Sequence, residues 1–73
     1  MPAPRSTLLR APSPAHVRLV QTTGVFIGWH CEGAHAVTRY RLPTGIADLY
    51  YGRDHLVPEY LRFWDDGEGA AGA

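Results

Sequence analysis

The sequence predicts an α+β fold: a small four-stranded antiparallel meander followed by one short C-terminal helix, with a flexible tail at each end. Three observations point there. Apolar residues between positions 16 and 51 alternate at period two, the mark of half-buried strands. Turn chemistry interrupts the alternation at short intervals, at Thr23-Gly24, Glu32-Gly33-Ala34 and Pro43-Thr44-Gly45. After Gly52 the apolar spacing lengthens to that of a helix. With 73 residues the chain is one domain at most, near the lower limit for independent folding.

Taken in order, residues 1–15 hold four of the six prolines and read as a flexible arm carrying Arg5 and Arg10. The folded domain is expected over 16–64. Its first strand is HVRLVQT, with Val17 and Leu19 on one side, and Gly24 then turns the chain by accepting positive φ. The second, VFIGWHC, places Val25, Ile27, Trp29 and Cys31 on the core face and Phe26, Gly28 and His30 opposite. The third, AVTRYRL, groups Ala36, Thr38, Tyr40 and Leu42 against Val37, Arg39 and Arg41. The fourth, IADLYY, turns Ala47, Leu49 and Tyr51 inward and Ile46, Asp48 and Tyr50 outward. Val57, Tyr60, Leu61 and Trp64 then fall at i, i+3, i+4 and i+7, with Pro58 suited to the first helical position. So short a helix must dock on the sheet, with Trp64 as its anchor. Residues 65–73, acidic and then rich in Gly and Ala, read as a disordered tail.

Composition excludes several classes. No apolar run reaches the ~20 residues a membrane span needs, and none suits a signal peptide. A single cysteine cannot form an internal disulfide, which argues against a stapled secreted scaffold. A soluble, intracellular protein is expected. All seven basic residues are arginine and the formal net charge is zero. That neutrality hides a layout of +2 in the arm, +1 in the domain and −3 in the tail, counted from the Arg, Asp and Glu positions. No global field draws the chain to nucleic acid or anionic lipid.

Residues with catalytic or ligating chemistry do not assemble into a site. His30, Cys31, Glu32 and His35 are close in sequence, yet neighbours on a strand point to opposite faces, and no second Cys/His pair exists to complete a zinc site. Cys31 is placed on the core face, where burial disfavours a thiolate nucleophile. No phosphate-binding glycine loop or metalloprotease motif is present. The reading is of a protein that is not an enzyme and needs no cofactor or metal.

What remains is a surface. Arg39, Arg41 and Tyr50 are expected on the outer face of a hairpin, with Phe26 and His30 alongside. Arginine and tyrosine are enriched at protein interface hot spots. An open meander also has an edge that accepts a partner strand. The tail acids Asp65 and Asp66 suit a basic segment of a partner. The candidate partner-binding residues are therefore Phe26, His30, Arg39, Arg41, Tyr50, Asp65 and Asp66. The same arginine–aromatic face supports an alternative, a small single-stranded nucleic-acid-binding domain.

Taken whole, the chain resembles the small RNA polymerase-binding transcription regulators of lytic Xanthomonas phages. The resemblance is carried by its size, the opening MPAPRSTLLRAPSP, the arginine-only basic set and the central VFIGWHCEGAHAVTRYRLPTGIADLYYG. It implies a phage protein of the host bacterial cytoplasm, monomeric when free, that binds the N-terminal region of the RNA polymerase β′ subunit. It further implies inhibition of initiation by interference with the σ factor, promotion of antitermination, and the β subunit and the elongation factor NusA as further partners. It assigns no catalytic residue, because the activity is occupancy.

Overall fold

The computed structural model describes residues 6–53 and 55–65. Six elements follow one another: β1 (Ser6–Arg10), α1 (Pro14–Thr23), β2 (Val25–Glu32), β3 (His35–Leu42), β4 (Gly45–Tyr51) and β5 (Pro58–Asp65). The strands form one five-stranded antiparallel sheet in the order β1-β5-β4-β3-β2. The α+β class and the three-stranded meander β2–β3–β4 are as the sequence predicts, but the sheet has five strands, not four. The expected first strand lies in α1, and two strands are unexpected: β1 comes from the segment expected as a flexible arm and β5 from the segment expected as the C-terminal helix. Residues 1–5 and 66–73 of the expected tails lie outside the described residues.

β1 and β2 lie at opposite edges of the sheet, so the chain joining them must cross one face. α1 makes that crossing. It begins where the sequence was read as strand HVRLVQT, because two local signals override period two. Ser13 caps the helix, its hydroxyl oxygen accepting the His16 N–H at 3.2 Å, and Pro14 occupies the first turn. Val17 and Val20, three apart, then face the sheet together, while Leu19 is exposed. Gly24 ends the helix, donating to the Val20 carbonyl at 2.9 Å. Its φ is −86°, so the glycine serves close approach and not positive φ. A Cβ there would lie 2.7 Å from the Val20 carbonyl oxygen and 2.9 Å from Leu42.

The expected C-terminal helix is strand β5, and Trp64 anchors no helix. The segment PEYLRFW satisfies both periods. As a helix, its apolar stripe would leave Phe63 outside and would end marginally stable. As a strand it pairs with β1 on one side and β4 on the other, and sends Leu61 and Phe63 to one face and Tyr60, Arg62 and Trp64 to the other. Pro58 sits at the first strand position, where its missing donor is tolerated. Val57 lies before the strand and is exposed.

The core is on the helix side, where Val20 meets Ala47, Leu49 and Leu61, flanked by Leu9, Val17, Tyr40, Leu42, Tyr51 and Phe63. Cross-strand registers Thr38↔Leu49↔Leu61 and Tyr40↔Ala47↔Phe63 build this layer row by row. The expected alternation of β3 and β4 is therefore observed. Trp29, Cys31 and Ile27, expected in the core, are exposed, because β2 lies at the edge of the sheet beyond the buried cluster. The turn at Gly33, φ 63°, joins β2 to β3 as the sequence predicts. Among the described residues, no helix is long and apolar enough to cross a membrane.

Candidate functional site: the helix-free face and the β2 edge

The sheet face turned away from α1 carries the polar chemistry. Its centre is Asp48, an acidic residue set between Ala47 and Leu49 in an otherwise apolar strand and fully buried. The β3–β4 register sets Arg39 directly opposite. The guanidinium closes a two-pronged pair, Nε to Oδ1 and Nη2 to Oδ2, each at 2.8 Å. Trp64, one strand away, donates its indole N–H to Asp48 Oδ2 at 2.9 Å. The hydrogen bond from Arg39 itself to Asp48 raises the Arg39 pKa, against a smaller opposing effect of burial.

A second arginine flanks the first. Arg62 pairs in register with Asp48 from the β5 side, and its guanidinium carbon lies 5.9 Å from the Tyr50 ring centre and 5.4 Å from that of Trp64. Its Nη1 donates to the Ser6 hydroxyl at 2.9 Å. Its buried Nε has no partner among the described residues. Beyond Tyr50, His35 sets its ring edge-on to Tyr50 and Tyr60, at 6.1 and 5.6 Å between centres, and its Nε2 is 3.1 Å from the Glu59 carboxylate. A shallow cleft of about 210 Å³ opens between Leu8, Glu32, His35, Tyr50, Tyr60 and Arg62. Burial, assisted by the charge of Glu32, holds the Tyr50 phenol above its ordinary pKa.

The predicted site residues divide. His30, Arg39, Arg41 and Tyr50 lie together on this face, as expected. Of these, Arg39 is committed to Asp48, and Tyr50 is only 8% exposed, so neither is a free contact; His30 and Arg41 are exposed. Phe26 is on the opposite face, against Tyr40 at 5.6 Å between ring centres. The reason is a bulge between Phe26 and Gly28, which inserts one residue and inverts the alternation, so that Phe26 pairs with Tyr40 but Gly28 with Arg39. Asp65 ends β5 opposite Gly45, and Asp66 lies outside the described residues.

Sequence reasoning missed Asp48, Arg62, Trp64, Tyr60 and His35 as one assembly. The available signal was Asp48 itself, a carboxylate that a buried strand tolerates only if paired. Its partner Arg39 was readable by counting back through the β3–β4 turn. Arg62 and Trp64 are not readable from a segment whose spacing predicts a helix.

β2 presents different chemistry. It is the sheet edge, and Val25, Phe26, Ile27 and Trp29 are 64%, 52%, 43% and 66% exposed. These are four of the eight large apolar residues exposed among the described residues, so apolar exposure is concentrated on one edge. Glu32 ends the strand, with His30 Nε2 at 3.3 Å from its carboxylate. Compared with known proteins, the chain matches no family model, no curated protein and no solved structure.

Proposed function

We propose that this chain is a phage-encoded, non-enzymatic regulator that binds host bacterial RNA polymerase at the N-terminal region of β′. By occupying that surface it inhibits initiation through σ-factor interference and promotes antitermination, with β and NusA as further contacts. The single observation that supports a binding role is the apolar edge, where four large side chains stay in water on a domain otherwise small enough to need every burial it can make. The identity of the partner rests on the resemblance of the whole chain to phage polymerase regulators. A small protein displaces a larger factor by covering a shared patch of ordinary size, about 800 Å² per partner. The effect on polymerase then follows from unequal affinity for its σ-bound and σ-free states.

The nucleic-acid alternative is weaker on this geometry. Base stacking needs exposed aromatic faces beside free cations. Here Tyr50 is buried, Arg39 is tied to Asp48 and Phe26 points to the other side of the sheet. The test is retention of the full chain on purified bacterial core RNA polymerase, with and without nuclease. Retention that survives nuclease is expected, together with competition by σ factor. Retention that disappears with nuclease or modest salt would transfer the assignment to nucleic acid.

A further inference from the structure

We propose that the outer edge of β2 accepts an added strand from another protein, an extended segment whose apolar residues alternate with polar ones that include a basic residue. The inference deepens the binding reading above by naming the edge and the chemistry of the segment it takes.

Among the described residues β2 has no strand on its outer side, so about half of its backbone N–H and C=O groups face away from the sheet. Edge strands in monomeric proteins are normally blunted by lysine, proline, an inward charge or a bulge. The sequence VFIGWHCE has no lysine, proline or charge before its last residue, and its bulge between Phe26 and Gly28 leaves the stretch Gly28–Glu32 in regular register. The opposite edge, β1, is shorter, at 5 residues against 8, and carries Ser6, Thr7 and Arg10. The asymmetry singles out β2.

The two faces of the edge ask for different side chains. Trp29 and Cys31 stand on the helix side, in register with Thr38 and Ala36, while His30 and Glu32 stand on the open side, in register with Val37 and His35. A strand laid alongside must alternate to match. Its residues on the helix side would cover Trp29 and gain apolar burial. Its residues on the open side would pass Glu32, whose side chain is 59% exposed and lies 3.3 Å from the His30 ring nitrogen. A cation belongs there. Above Gly28 a Cβ would meet nothing within 4 Å, so the open side has room for a side chain of the incoming segment.

A second copy of this chain fits poorly. Two antiparallel β2 strands paired over their whole length would place both bulges inside the new ladder, and a shorter pairing over Gly28–Glu32 would set each Glu32 opposite Gly28, with no cation beside it. β2 also carries no arginine to set beside the opposing Glu32. A foreign strand needs only the regular stretch Gly28–Glu32, which spans ~17 Å.

The test titrates the full isotope-labelled chain with a short synthetic peptide in which valine alternates with lysine and threonine, followed by NMR and hydrogen exchange. Shifts and slowed exchange concentrated in the β2 amides are expected, with the chain sedimenting as a monomer before addition. A peptide carrying glutamate for lysine should bind at least tenfold more weakly, and Trp29→Lys should lose binding without a change in melting temperature. Shifts located elsewhere, no shift at millimolar peptide, or a peptide-free dimer protected along β2 would overturn the proposal. Retention on core RNA polymerase is measured in parallel for wild type and Trp29→Lys. Loss of retention in the variant supports β2 as the polymerase contact, and unchanged retention refutes it. If wild type does not bind polymerase but the peptide still adds to β2, the partner assignment fails and the strand-accepting edge stands.

Discussion

Replacing Asp48 by asparagine probes the centre of the helix-free face with almost no change of shape. The carboxylate accepts two bonds from Arg39 and one from Trp64, all between 2.8 and 2.9 Å, and is fully buried. With its carbonyl oxygen at the Oδ2 position the amide keeps the bonds from Arg39 Nη2 and Trp64 but sets its NH₂ group against Arg39 Nε, so one of the three bonds becomes a donor–donor clash and the charge of Arg39 is left uncompensated. Breaking a buried ion pair by removing one partner costs about 3–5 kcal/mol. The Arg39 side chain is 33% exposed, so water relieves part of its loss and the lower end, ~3 kcal/mol, applies. A chain of 73 residues has on the order of 4–11 kcal/mol in total, so this is a large share. The corresponding fall in Tm is roughly 12–24 °C for a domain of this size.

Thermal and urea unfolding followed by tryptophan fluorescence read this directly, since Trp64 touches the altered group. Arg39→Leu combined with Asp48→Leu provides the second arm. Buried pairs are often no better than apolar replacements of similar volume, so the double variant should be more stable than either single one. If Asp48→Asn melts within about 4 °C of wild type, less than ~1 kcal/mol is at stake and the face is not organised around this carboxylate.

Burial and capping give two further expected outcomes. Burial holds the phenols of Tyr50 and Tyr51 above their ordinary value of about 10. The unfolded chain releases these protons first, so stability is complete below about pH 10 and declines as pH rises through the higher folded-state values. Urea midpoints should fall above pH 10, and Tyr50→Phe with Tyr51→Phe should flatten that fall; an equally steep decline in the variant contradicts the burial argument. At the start of α1, Ser13→Ala should cost about 1 kcal/mol and Ser13→Asp should restore it, because the cap accepts the His16 N–H. Identical urea midpoints for all three chains would mean that the helix is held by packing alone.

The strands whose local and nonlocal demands agree are legible in the sequence. In β3 and β4 the period-two pattern, the turn at Gly33 and the turn before Gly45 all require the same hairpins, and the inward residues Ala47 and Leu49 are those that pack under Val20. Segments in which two periods compete are settled by long-range pairing. PEYLRFW reads equally as helix, and became a strand because β1 and β4 offer it ladders on both sides, which no local pattern records. HVRLVQT reads as strand, and became helix because β1 and β2 occupy opposite edges and the chain between them must cross a face. The bulge at Phe26 had the same origin: one inserted residue sent Phe26 to the helix side and His30 to the other, dividing a site that strict alternation would have kept together. Alternation along one strand is local chemistry. Which side of the sheet finally meets the core depends on what the rest of the chain brings to cover it.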